Sequence, residues 1–173
     1  REGGARAVKV EGGRAVAPRV RAMVDAGIPV MGHIGLTPQH IAAIGGFKTQ
    51  GKTAAAVRLL LEDARALEEA GCFSLVLEAM PAEAGAALTR AVSMPTIGIG
   101  AGPHTDGQVL VWHDVLGLFD RFTPRFVKRY AELGGDARTA LTAYCTEVRE
   151  GSFPGEDQTT HMDPDEAESL QDI

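Results

Sequence analysis

Residues 8–13 read VKVEGG, a short alternation of apolar and charged residues closed by two glycines. The pattern predicts a β-strand that runs into a turn, because side chains two apart on a strand point to the same side. Lys9 and Glu11 therefore share one face, and Val8 and Val10 share the other. An unpaired buried charge is costly, so on a buried strand this pair requires a partner, a metal or a substrate. Taken alone, the pair is more often a structural ion pair than a site.

Apolar strand patterns alternate with helical patterns along the rest of the chain. Strands are predicted over residues 7–11, 28–35, 73–80, 96–102 and 109–113. Helices are predicted over residues 15–26, 38–44, 52–70, 81–93, 125–133 and 137–150, with a loop over 45–51. Runs that are apolar throughout are typical of parallel strands covered by helices. The pattern therefore predicts an α/β fold with a parallel sheet.

The number of predicted strands leaves two architectures open. About five strands are too few for a complete (β/α)8 barrel, which typically takes about 250 residues. The chain of 173 residues therefore forms either an open doubly wound sheet or the later part of a barrel. Residues 1–154 are predicted to form one domain. The acidic segment 155–173, which has no Lys or Arg, is predicted to be disordered.

Composition narrows the class of protein. A net charge of −6 offers no basic surface for nucleic acid, and no apolar run is long enough to span a bilayer. Cys72 and Cys145 are isolated in the sequence and form no metal-ligand or redox motif. These features predict a protein of the reducing cytoplasm that binds neither nucleic acid nor membranes.

Ionisable residues gather where the predicted strands end, the edge at which parallel α/β proteins bind ligands. They are Lys9 and Glu11, His33, Glu78, and His113 with Asp114. Each has a structural explanation: a lone histidine is more often a hydrogen-bonded core residue, and the His-Asp pair can cap the next segment. Glu78, inside an apolar run, needs a strong compensating partner. Three separate strands with ionisable ends are harder to explain by chance than any one of them, which favours a functional site.

These residue types suit chemistry on a small oxo acid. A carboxylate such as Glu11 could hold a hard divalent cation, which would polarise a carbonyl and stabilise an enolate. Lys9 could neutralise the carboxylate of the substrate. A partly desolvated Glu78 could move a proton at carbon.

The motifs around these residues resemble the family of ketopantoate hydroxymethyltransferases, also called 3-methyl-2-oxobutanoate hydroxymethyltransferases. The most specific are HIGLTPQ at residues 33–39 and the run from GAG at 100–102 to TDGQ at 105–108. Further matching segments are VKVEGG at 8–13, GGFKTQG at 45–51, LVLEAMP at 75–81, WHD at 112–114 and FPGE at 153–156. The resemblance covers, in order, nearly all of the chain to about residue 160.

The resemblance implies a (β/α)8 TIM barrel of the phosphoenolpyruvate/pyruvate type. It implies transfer of a hydroxymethyl group from 5,10-methylenetetrahydrofolate to 3-methyl-2-oxobutanoate, giving 2-dehydropantoate for pantothenate synthesis. A Mg²⁺ ion would chelate the oxo acid, and the family's decamers imply a homo-oligomer, with the helices near residues 125–150 as candidates for packing on a neighbour. By position, Lys9 and His33 match substrate-binding residues, Glu11 matches a metal-site glutamate, and Glu78 matches the proton acceptor.

One departure from the family pattern leaves alternatives open. The family's first barrel strands, which carry an aspartate-serine pair and a second aspartate of the metal site, have no counterpart in these residues. We therefore expect the first strands of the barrel to be absent from this chain, and to be carried by an upstream piece. The competing hypotheses are a related oxo-acid lyase or mutase barrel, and a non-catalytic fragment in which Glu11 and Glu78 are structural.

Overall fold

The computed structural model describes residues 3–40, 46 and 48–169. The chain divides into two compact units. The first comprises Arg1–Val111 and Pro124–Val127, and the second comprises Trp112–Thr123 and Lys128–Ile173. No helix in the described part of the chain is long and apolar enough to cross a bilayer.

A five-stranded parallel sheet forms the centre of the first unit. Its strands are β1 (Val8–Glu11), β2 (Val30–Gly35), β3 (Ser74–Glu78), β4 (Thr96–Ile99) and β5 (Gly107–Gln108). They lie side by side in the order in which they occur along the chain. A doubly wound sheet requires a point at which strand order reverses, and the described strands contain no such reversal. Of the two architectures left open by the sequence, the order therefore favours the barrel type.

Three helices connect the first four strands and cover one face of the sheet. They are α1 (Ala17–Asp25), α2 (Ala54–Glu69) and α3 (Ala82–Ala91), each a few residues shorter than predicted. The side chain of Thr53 caps α2 by accepting a hydrogen bond from the Ala56 amide. The buried core lies between these helices and the sheet, and its fully buried members include Val20, Val30, Leu67, Leu75, Leu77 and Leu88. Burial of these side chains holds the strands in register and leaves the other face of the sheet for polar groups.

The fifth strand lies earlier in the chain than predicted. Pairing with β4 involves Gly107 and Gln108 rather than residues 109–113. The Asp106 carboxylate accepts hydrogen bonds from the backbone amide and hydroxyl of Thr96, which brings the glycine beside Ile97.

The second unit contains the remaining helices α4 (Trp112–Val115), α5 (Leu133–Glu150) and α6 (Pro164–Ser169). The helix predicted over 125–133 is wrong: a turn occupies residues 125–126, and residues 127–132 form no regular secondary structure. Its amides bond to distant partners instead of to carbonyls four residues back: the Tyr130 amide donates to the Val115 carbonyl, and the Leu133 amide donates to the Leu116 carbonyl. The last predicted helix begins at residue 133 rather than 137.

The predictions for residues 38–51 and for the acidic segment 155–173 include residues outside the described part of the chain. The helix predicted over 38–44 is a single 3-10 turn at Pro38–His40, and residues 41–44 lie outside the described residues, as do 45 and 47 of the predicted loop. In the acidic segment, Glu156–Gln158 and α6 form short helical turns with exposed side chains. The boundary at residue 154 and the disorder of the tail stay predictions.

Candidate active site

The candidate site lies at the carboxyl ends of β1, β2 and β3. Strand register places Glu11 beside His33, and Gly35 beside Glu78. Because positions two apart share a face, the two carboxylates and the imidazole all project from the face opposite the helix-covered core. The alternation that separated Lys9 and Glu11 from their valine neighbours therefore continues across three strands.

Lys9, Glu11 and His33 form a compact polar cluster on this face. The Lys9 Nζ atom donates to the Glu11 Oε1 atom at 3.3 Å and lies 3.0 Å from the His33 Nδ1 atom. The Glu11 Oε1 atom is itself 3.6 Å from that ring nitrogen. The Lys9 side chain is 42% exposed, whereas those of Glu11 and His33 are 6% and 3% exposed. The lysine is thus the member of the cluster that can still reach a solute.

His33 links this cluster to Glu78. Its Nε2 atom lies 3.0 Å from the Glu78 Oε2 atom, but the two groups are not aligned as a hydrogen bond, and Nε2 has no hydrogen-bond partner among the described residues. A lysine ammonium can only donate, so the contact with Lys9 assigns an acceptor role to Nδ1 and places the ring proton of a neutral imidazole on Nε2. A small rotation of either side chain would then complete a bond from His33 to the Glu78 carboxylate.

The Glu11 carboxylate is held from both sides. Its Oε2 atom accepts a hydrogen bond of 2.9 Å from the backbone amide of Gln39, in the 3-10 turn that follows β2. Burial alone would raise the pKa of Glu11, but the Gln39 amide and the ammonium of Lys9 outweigh it and bring the pKa below its ordinary value. Glu11 is therefore a fixed, ionised carboxylate at neutral pH.

His113 and Asp114 do not extend a strand end as the sequence suggested. They belong to α4 in the second unit, and the His113 ring packs against the Trp112 ring with centroids 3.9 Å apart. Sequence reasoning also missed two backbone features of the first unit, the Gln39 amide and the left-handed conformation of Ala79, which has a φ of 51°. Pro38 was a signal for the first, since proline often opens a helical turn with free amides. The second had none, because alanine carries no preference for that conformation.

The described residues do not by themselves make up a metal centre. Within the ranges that the structure describes, no group of three His, Cys, Asp or Glu side chains is placed to hold a metal ion. Glu11 is a hard oxygen donor of the type that Mg²⁺ prefers, but its two oxygens already accept bonds from Lys9 and Gln39. The described residues therefore provide Glu11 as a possible metal ligand, but not a complete set of ligands.

A parallel sheet in sequential order, with its ionisable side chains at the carboxyl edge, is typical of α/β proteins of the barrel class. Comparison with known families agrees and is more specific. The sequence model of the ketopantoate hydroxymethyltransferase family matches residues 1–156, and the chain belongs to that family.

Three similar proteins share one name. The 3-methyl-2-oxobutanoate hydroxymethyltransferase of Oleidesulfovibrio alaskensis is 66% identical over 166 residues, which cover 96% of this chain and 57% of the relative. The enzyme of that name from Syntrophobacter fumaroxidans is 60% identical over 173 residues, covering 100% of this chain and 61% of the relative. The one from Heliobacterium modesticaldum is 59% identical over 170 residues, covering 98% and 61%. The chain thus spans 57–61% of the length of these curated relatives.

Proposed function

We propose that the protein to which this chain belongs transfers a hydroxymethyl group from 5,10-methylenetetrahydrofolate to 3-methyl-2-oxobutanoate, giving 2-dehydropantoate. Family membership and the names of the relatives support the reaction class. The observation that carries the proposal for this chain is the continuous contact from Lys9 through His33 to Glu78 at the carboxyl edge of the sheet. This contact connects the Lys9 ammonium, which can bind the carboxylate of an acid, with the Glu78 carboxylate, which can accept a proton.

Glu78 is the proposed proton acceptor. Its carboxylate takes the hydrogen from the substrate carbon next to the carbonyl, and the electron pair of that C–H bond moves into the enolate. The enolate carbon then forms the new bond to the one-carbon unit. The two C–N bonds that join this unit to the folate break, and water supplies the hydroxyl group of the product. The proton taken by Glu78 and the remaining proton of water pass to the folate nitrogens, so tetrahydrofolate is released. Because the unit is at the oxidation level of formaldehyde, no oxidant or reductant is consumed.

Lys9 and His33 bind and orient in this proposal. The partly exposed Lys9 ammonium pairs with the carboxylate of the oxo acid. The ring of His33, which is almost fully buried, lies between that cation and Glu78. Direct contact of His33 with substrate stays a prediction. The arrangement supports an orienting role, in which the ring proton faces the Glu78 carboxylate.

A Mg²⁺ ion remains part of the proposal. When bound, such an ion polarises the carbonyl of the oxo acid and stabilises the enolate. Glu11 would contribute directly or through the hydration shell of the ion, and the other oxygen ligands would come from outside the described residues. A homo-oligomer and a cytoplasmic location likewise stay predictions. The apolar side chains of Leu141, Tyr144 and Val148 on α5 are exposed and offer a surface for a second copy.

Two assays on the intact protein test the proposal. The first follows folate-dependent formation of 2-dehydropantoate with and without Mg²⁺. The second follows exchange of the C3 hydrogen of 3-methyl-2-oxobutanoate with deuterated water in the absence of folate, which isolates proton removal. Glu78→Gln keeps the shape of the side chain and removes the base, so exchange should fall by about 10²–10⁴-fold, with little change in KM. The control is Glu69→Gln, an exposed glutamate on α2, which should match the parent.

The outcomes separate the candidate functions. A parent protein that forms no 2-dehydropantoate contradicts the proposed transfer. If the parent exchanges the C3 hydrogen but forms no 2-dehydropantoate, the related oxo-acid lyase or mutase becomes the better candidate. If Glu78→Gln exchanges as fast as the parent, Glu78 is not the base, and His33 or a metal-bound water takes its place as the candidate.

A further inference from the structure

The residue that follows Glu78 has a backbone conformation that L-amino acids rarely adopt. Ala79 has a φ of 51°, and it is the one non-glycine residue with positive φ in the part of the chain that the structure describes. Its side chain is only partly buried, so packing of the methyl group does not force the conformation. Non-glycine residues held in the left-handed region cluster at functional sites, where the surrounding structure maintains them.

Backbone hydrogen bonds on both sides of β3 hold residues 78–80 in place. On the β2 side, the Leu36 amide donates to the Glu78 carbonyl at 2.9 Å, and the Gln50 amide donates to the Ala79 carbonyl at 2.8 Å. On the β4 side, the Ala79 amide donates to the Ile99 carbonyl at 2.9 Å. The Met80 amide follows with a bond of 3.0 Å to the Gly100 carbonyl. We call this set of four bonds the Glu78 clamp.

The backbone of Gly35 packs closely against the backbone of Glu78, within the Glu78 clamp. A Cβ atom at Gly35 would lie 2.2 Å from the Glu78 carbonyl oxygen and 3.1 Å from its amide nitrogen. The end of β2 therefore lies so close to the Glu78 backbone that there is no room for a side chain at residue 35. The chain makes these four bonds with a left-handed residue, Ala79, directly after this peptide.

We infer that Ala79 is a positioning residue for Glu78: its left-handed backbone keeps the Glu78 side chain at the inner face, 3.0 Å from His33. The inference rests on the proposed role of Glu78 as proton acceptor. The competing explanation is that Ala79 only ends β3 and contributes to stability. The two differ in what a change of backbone preference at residue 79 does to proton removal in a folded protein.

Ala79→Thr and Ala79→Asn form a matched pair of variants for the test. The two new side chains are polar and similar in size, but asparagine tolerates the left-handed region, whereas a β-branched residue there is a genuine outlier. Exchange of the C3 hydrogen of 3-methyl-2-oxobutanoate is measured in deuterated water on the intact protein, with thermal unfolding of each variant alongside. Amide hydrogen exchange at Leu36 and Gln50 reports on the Glu78 clamp without depending on activity.

For the threonine variant we expect a fall of about tenfold or more in kcat for exchange, with KM within twofold and loss of amide protection at Leu36 and Gln50. The asparagine variant should keep both the rate and the protection within about threefold of the parent. If the two variants, both folded, exchange at equal rates, the inference is wrong and Glu78 keeps its place without Ala79. If only the threonine variant fails to fold, the role of Ala79 is stability, which also overturns it. A parent that does not exchange refutes the proposed function itself, and this outcome is distinct from the others.

Discussion

Replacing Gly35 by alanine should damage the protein far more than the same change at Gly27. Both glycines have positive φ, 93° and 78°, so a Cβ is disfavoured at each. Their surroundings differ. At Gly27, which follows α1, nothing lies within 4 Å of an added Cβ, whereas at Gly35 that atom would lie 2.2 Å from the Glu78 carbonyl oxygen. The pair therefore separates the cost of the backbone conformation from the cost of the contact.

The expected magnitudes follow from these two environments. An L-residue in the left-handed region costs about 1–2 kcal/mol, and Gly27→Ala should lower the free energy of unfolding by about 1 kcal/mol. Gly35→Ala must also push the end of β2 away from β3. That movement breaks the bond from the Leu36 amide to the Glu78 carbonyl, which adds about 1–3 kcal/mol because a donor is left unpaired. We expect a total of about 3 kcal/mol for Gly35→Ala.

Thermal unfolding followed by circular dichroism measures the difference. For a chain of this size each kcal/mol lowers Tm by about 2–4 °C, so the expected shifts are about 2–4 °C for Gly27→Ala and about 6–12 °C for Gly35→Ala. The C3 hydrogen exchange rate should fall only in the second variant. Equal Tm shifts would refute the reasoning, since they would mean that conformation alone, and not the approach to Glu78, requires glycine at residue 35.

Two further changes test the core and one electrostatic contact. Leu67→Ala removes a fully buried side chain of α2 and should cost about 2–5 kcal/mol by urea unfolding, whereas Leu59→Ala, on the same helix and 53% exposed, should change stability by less than about 0.5 kcal/mol. The Ser93 hydroxyl, helped by the amides of Ser93 and Met94 and opposed by burial, holds the pKa of Glu68 below its ordinary value of 4.5. A lowered folded-state pKa adds stability above pH 4.5 that is lost as the pH falls through the folded pKa, so Glu68→Gln should destabilise the protein at pH 7 and approach the parent in acid; a difference that does not shrink in acid would contradict this.

Local patterns were enough to predict most of the first unit. The alternation of Lys9 and Glu11 with their valine neighbours sets the two faces of β1, and the apolar run around Glu78 marks β3 as a buried strand. Glycine and proline bracket the helices that follow, so α1, α2 and α3 appear within a few residues of their predicted ends. These features depend on neighbours along the chain, and such neighbours are visible in a sequence.

The remaining features depend on partners distant in sequence. The Asp106 carboxylate accepts a hydrogen bond from the Thr96 amide, and β5 therefore pairs at residues 107–108 rather than at the predicted 109–113. The amide of Tyr130 bonds to residue 115 and so prevents the helix predicted over 125–133. In the candidate site, the sequence predicted which side chains share a face of each strand. It did not predict the hydrogen bond from the Gln39 amide to the Glu11 carboxylate. Contacts of this kind exist only once separate segments have come together.

The sequential strand order also bears on how the chain acquires its structure. Each new strand emerging from the ribosome finds its pairing partner already made: β2 adds to β1, and β3 adds to β2. In this topology no strand has to wait for a distant segment before it can pair. Lys9, Glu11, His33 and Glu78 all lie on the first three strands. These four residues are therefore synthesised before β4 and β5, and β4 then adds the Ile99 and Gly100 carbonyls that complete the Glu78 clamp.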